Sequence, residues 1–220
     1  MNDWLIWQLA DSAYPAGGFA HSGGLEAAWQ QGEVTGEVGL VGYIRSQLTQ
    51  IGYSQLPFVL AAHRDPQRFG ELDGLCDAFL SNHVANRASR RQGEAFLISS
   101  EAIFPSAIIK SLRSTVTGTG GKGHFPLIFG VVTHALGVDS EPAARLFLFQ
   151  ALRGLVSSAV RLGAVGPLQG QSVQHRLGPF AEELARRCEG TAVENVAQTA
   201  PLLEVLQAMH DRLYSRLFQS

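Results

Sequence analysis

"EPAARLFLFQALRGLVSSAVRLG", residues 141–163, decides the fold class. Read at the helical repeat it is apolar on nearly every side, a pattern that suits a helix enclosed by other elements. Pro142 stands in the first turn, Asp139 or Ser140 precedes it as N-cap, and Gly163 closes the run. The spacing predicts a central, buried helix.

Working outward, Leu72, Leu75, Cys76, Phe79, Leu80, His83 and Val84 recur at three and four residues, and the stripe resumes at Ala95 and Phe96. This predicts one long helix, or two broken near Gly93. Leu202, Leu206, Met209, Leu213 and Leu217 predict a helix from about Pro201 almost to the chain end, within a C-terminal segment 201–220. Shorter patterns fit residues 3–11, 25–31, 38–52, 55–63, 126–136 and 174–188. Alternating runs with hairpin turns are missing, and so is a βαβ order. The reading is an all-α, bundle-like fold forming a single domain over 1–220. "TVTGTGGKGH", 115–124, is glycine-rich and polar and reads as a mobile loop.

Composition narrows the function classes. Lys+Arg 17 against Asp+Glu 19 gives a net charge of -2, which provides no electrostatic basis for nucleic-acid binding. Cys76 and Cys188 form no C-x-x-C pair, so a disulfide framework or zinc knuckle is not expected, and the thiols read as half-buried in a reducing cytosol. The start, Met1-Asn2-Asp3-Trp4, has no basic leader, and polar residues interrupt the apolar segments. A cytoplasmic protein outside the membrane is the expectation. Hydrophobic residues make up 45% and charged ones 16%, a balance that points to surface buried in an assembly.

Four motifs resemble reactive sites. In "VTGTGGKGHF" the first P-loop glycine is replaced by Val116, and Gly123 stands where Ser or Thr should follow Lys122. In "YPAGGFAHSGGLEAAW", residues 14–29, the serine of "AHSGG" follows Ala20 and His21 where a nucleophile elbow needs glycine two residues before it, and no apolar strand leads into it. The seven histidines never fall at H-x-x-x-H or H-x-H spacing, so no metal site is read. In "NRASRRQGEA", 86–95, Arg87, Arg90 and Arg91 lie on successive turns, either as a solvated face or as an anion site. Gly93 in that helix calls for close packing. At the end, "MHDRLYSRLFQS" places Leu213, Tyr214, Leu217 and Phe218 where an undocked helix would fray.

Five blocks in order, "WQLADSAYPAGGFAHSGGLEAA" (7–28), "RRQGEAFL" (90–97), "HFPLIFGVVTHALGV" (124–138), "AVRLGAVGPLQGQ" (159–171) and "MHDRLYSRLFQS" (209–220), resemble the urease accessory protein UreF family. The resemblance implies a non-enzymatic helical chaperone, a homodimer that binds UreD (UreH in some organisms) and the GTPase UreG to deliver nickel to apo-urease. It implies no cofactor of its own: GTP belongs to UreG, and nickel passes through the complex. It places partner contacts at Pro15, Gly17, Gly18, Phe19, His21, Ser22, Glu26, Arg91, Gln92, His210, Tyr214, Arg216, Leu217 and Phe218. On the residues alone a second class stays open: an all-α enzyme acting on an anionic small molecule through His21 and Ser22 or the Arg87–Arg91 cluster. It differs from the scaffold in requiring turnover.

Overall fold

The computed structural model describes residues 3–118 and 120–220, so readings that fall on Met1, Asn2 and Thr119 lie outside the described residues. The apolar run over residues 141–163 forms helix α9, Ser140–Arg161, with Ala143, Leu146, Phe147, Leu152, Leu155, Val156 and Ala159 buried. Around it pack α3 (Gly36–Ser54), α4 (Leu56–Arg64), α8 (Phe125–Ala135) and α10 (Pro167–Cys188). By length and composition α9 is apolar enough to cross a membrane, but 61% of its apolar window is buried inside the fold. Its hydrophobicity serves the core. Among the described residues there is no strand, and the all-α class holds.

Two glycines set how closely the core helices approach. A Cβ on Gly130 in α8 would lie 2.3 Å from the Val59 carbonyl oxygen of α4, so these helices touch backbone to backbone. A Cβ on Gly93 in α6, His83–Ile103, would lie 2.0 Å from the Gly123 carbonyl oxygen, which is the close packing expected there. Beside that crossing Phe96, Phe125, Phe129 and Phe147 form one aromatic cluster, with ring centroids 5.3–5.7 Å apart. It joins α6, α8 and α9. Burying a ring of this size contributes about 1.5–3 kcal/mol.

The stripe from Leu72 does break into two helices, but not at Gly93. α5 (Phe69–Phe79) ends before Asn82, whose side-chain oxygen accepts hydrogen bonds from the Val84 and Ala85 amides and starts α6. The same side chain donates to the Glu204 carbonyl at 2.7 Å and so pins α11, Pro201–Ala208. Asn82 is a better helix starter than Gly93 is a helix breaker.

Three further readings are corrected. The segment 115–124 is not one loop: α7 (Ala107–Gly118) takes its first half, and the second half is tied down because the Lys122, Gly123 and His124 amides all donate to the Asp73 carboxylate at 2.6–3.0 Å. The C-terminal helix does not run almost to the chain end. It stops at Ala208, gives one 3-10 turn over Met209–Arg212, and continues as irregular chain because the terminal residues find hydrogen bonds outside a helix. Cys76 and Cys188 are fully buried free thiols, not half-buried ones.

Candidate functional site

The two chain ends meet. The N-terminal glycine-rich block lies between α1 (Asp3–Ala10) and α2 (Leu25–Gln30), and the last eight residues run along it. α1 is held by α9, with Gln150 donating to the Leu9 carbonyl at 2.8 Å and Arg153 to that of Ala10. Tyr14 then packs on Phe96 and its hydroxyl lies 3.0 Å from Ser100 Oγ, while Ser99 donates to the Pro15 carbonyl. After this anchor the chain needs tight bends. Gly17 has φ 74°, and Gly24 has φ 83° with Tyr43 Oη 3.0 Å from where a Cβ would stand, so a side chain is excluded there by backbone and by space. Gly18 lies against Gln92, whose Nε2 would stand 3.0 Å from a Cβ at that position.

The centre of the junction is Glu26, 1% exposed. Its carboxylate accepts from the Leu217 amide at 2.6 Å, the Phe218 amide at 3.2 Å and His210 Nε2 at 3.1 Å. A buried acidic side chain without such donors would be costly, so the C-terminal segment completes the fold of the N-terminal block. Because Glu26 only accepts, the Nε2–H tautomer of His210 follows, and its buried Nδ1 is left without a hydrogen-bond partner. The remaining pairing is backbone-like: Ser22 N donates to Ser220 O at 2.7 Å and Gln219 N to Ala20 O at 2.8 Å.

His21 Nδ1 lies 2.5 Å from Ser220 Oγ. Burial first, then the positive charges of Arg91 and Arg87, lower its pKa from 6.5 to about 4, so the imidazole is neutral at pH 7. Ser22, 1% exposed, directs its hydroxyl to the Ser220 carbonyl. These two side chains therefore serve the chain end, and they do not form the nucleophile and base pair that an elbow would need.

On the outside, Arg161 lies between two rings, its guanidinium carbon 3.8 Å from the Phe19 centroid and 4.2 Å from that of Phe218, and it donates to the Phe19 carbonyl at 2.5 Å. Phe218 is buried, whereas Phe19 is 71%, Tyr214 105% and Leu217 52% exposed. Pro15, Arg91 and Arg216 are exposed as well. The expected partner residues thus divide in two. Glu26, Ser22, His210 and Phe218 build the junction, and Pro15, Phe19, Tyr214, Arg216 and Leu217 present its outer face. Sequence reasoning missed Arg161, Tyr43, Gln47 and Ser220. The available signal was Arg161 itself, a basic residue in the last turn of a mostly apolar helix; Tyr43 and Gln47 both donate to the Gly23 carbonyl and had none.

Arg87 and His83 on α6 hold Asp211, at 2.7 and 3.1 Å, and Arg216 lies 3.6 Å from the same carboxylate. The hydrogen bond from Arg87 leads the causes that keep Asp211 below the usual carboxylate range. Among the described residues no three His, Cys, Asp or Glu side chains gather as a metal site, although His63 and His134 stack edge to face at 5.6 Å.

The UreF family model matches residues 34–178. Urease accessory protein F of Oryza sativa subsp. indica is 38% identical over 219 residues, covering 98% of this chain and 84% of the rice protein. Its counterpart in Arabidopsis thaliana is 38% identical over 221 residues, 99% of this chain and 92% of the plant protein. Urease accessory protein UreF of Paenarthrobacter aurescens is 31% identical over 219 residues, 98% and 96% of the two chains. The pairwise similarity spans both ends that form the junction, beyond the segment the family model matches.

Proposed function

This chain belongs to the UreF family of urease accessory proteins, and from that premise we propose that it is the scaffold holding UreD (UreH) and the GTPase UreG together during nickel insertion into apo-urease. As a member of an accessory family it is not itself an enzyme. The observation that carries the scaffold reading is the junction of the two chain ends. A tail pinned by Glu26 and by backbone pairing carries Tyr214 and Leu217 outward, and large apolar groups on a preorganised backbone are what partner binding uses. UreD docks on this face. GTP belongs to UreG, in keeping with the amides of residues 122–124 being used by Asp73 and with the incomplete P-loop pattern. Further exposed apolar residues, Trp4, Val38 and Leu168, supply surface for a homodimer. A partly open cleft of about 940 Å³ with Gln47, Gln50, Gln150 and Gln174 among its wall residues is where this reading routes the metal.

The test is co-purification of the full chain with UreD and UreG, followed by urease activation with and without it. A ternary complex and loss of activation on omission are expected. Tyr214→Ala with Leu217→Ala should lose UreD while keeping the helical circular dichroism, because both side chains point outward. Undiminished UreD capture by that variant refutes the docking face, and normal urease activation without the chain refutes the scaffold.

A further inference from the structure

Beyond the junction, α6 and α7 and the turn at Gly121–Gly123 enclose an open groove of about 870 Å³. Arg87, Arg90, Arg91, Arg113 and Lys122 line it, against one lining carboxylate, Glu94. Arg87 and Arg113 are partly engaged, by Asp211 at 2.7 Å and Glu101 at 3.8 Å. Arg90, Arg91 and Lys122 are exposed and make no ion pair among the described residues. Glu94, one turn from Arg90 and Arg91, together with Asp211 and Glu101 offsets part of this charge, and the excess of cations that is left favours an anion in the groove.

The structure also shows which kind of anion. At the groove's Arg87 end a protein carboxylate, Asp211, already sits in cis between Arg87 and His83. Phosphate sites recruit backbone amides, yet the Lys122 and Gly123 amides at the opposite wall are committed to Asp73. Val116 is a half-buried apolar residue of the lining beside the cations, and the volume far exceeds a single anionic group. Several guanidinium forks spread along one groove match a chain that carries several carboxylates. We propose that this groove binds an acidic segment of a partner protein, extending past Asp211 the charge pairing that the chain's own end begins. The proposal does not depend on the identity of UreD or UreG.

Binding is read by fluorescence anisotropy of a labelled synthetic peptide of Glu-Asp-Leu repeats on the full chain. The same peptide with Gln and Asn replacing Glu and Asp, and inorganic phosphate and pyrophosphate as competitors, complete the set. We expect the acidic peptide to bind, the neutral one not to, and neither phosphate to displace it. Arg90→Glu with Arg91→Glu, both exposed, should weaken binding about tenfold or more while leaving circular dichroism unchanged. Arg186→Glu with Arg187→Glu on α10 should have no such effect. Absence of peptide binding, equal loss with the α10 pair, or displacement by phosphate would each overturn the proposal, the last by making the groove a phosphate site.

Discussion

His21 and Glu26 show how single residues join the two chain ends. Glu26 gives its oxygens to two tail amides and to His210, and these three interactions tie residues 184–192 positions apart in contacts a local motif does not reveal. His21 adds a pH dependence whose sign follows from its depressed pKa. The folded chain holds it neutral down to about 4, whereas the unfolded chain takes up a proton near the ordinary 6.5. The unfolded state therefore binds more protons between those values, and the stability contributed by neutral His21 is present above 6.5 and lost as pH falls towards about 4. Urea titrations at neutral pH and near about pH 5 should show a larger loss for the wild-type chain than for His21→Gln. His63 and His124, also lowered mainly by burial, act in the same direction in both proteins, so equal losses would contradict a buried neutral imidazole at residue 21.

At the scale of elements, helix approach is governed by glycine where backbones touch and by capping where helices start. Alanine is the better helix former by about 1 kcal/mol, so the sign of a Gly→Ala change reports which effect wins. Gly93→Ala puts a methyl 2.0 Å from the Gly123 oxygen and 2.9 Å from Phe125 N, both backbone, and should destabilise by about 2–3 kcal/mol despite the propensity gain. Gly154→Ala on α9 meets nothing within 4 Å and should be neutral or stabilising by up to about 1 kcal/mol. Thermal unfolding of the two variants checks this; a stabilised Gly93→Ala would mean that α6 does not lie on the residue 123 turn. Helix starts were less legible than helix interiors. Asn82, a capping residue ahead of an apolar run, is a stronger signal for the start of α6 than Gly93 is for a break within it.

At the scale of the molecule, the terminal segment is part of the folded unit. Removing residues 213–220 takes two of four donors from Glu26 and the Ser220 contacts from Ser22 and His21. Amide hydrogen exchange should then accelerate in residues 17–26 and stay protected in α4 and α8, whose contact lies elsewhere. Unchanged protection of residues 17–26 would show that the N-terminal block folds without the tail. Such a truncation removes the proposed docking face and its support together. The exposed pair Tyr214 and Leu217 is therefore the cleaner probe of binding.

Periodicity and the absence of strand signals were enough for the all-α class and for the buried helix over residues 141–163, because apolar spacing is a local property that burial must follow. The order of five blocks was enough for the family, since shared descent is written along the chain itself. Most helix bodies were legible for the same local reason; α7 was not, because the glycines after it made its last turns read as loop. The end of α11 and the union of the two termini came only from tertiary structure. Leu213 and Leu217 keep a helical period, yet the last residues leave the helix because Glu26, Ala20 and Ser22 offer their backbone fixed partners in a buried place. Which local preference yields depends on what the rest of the fold has already placed beside it, and spacing along one segment carries no information about that.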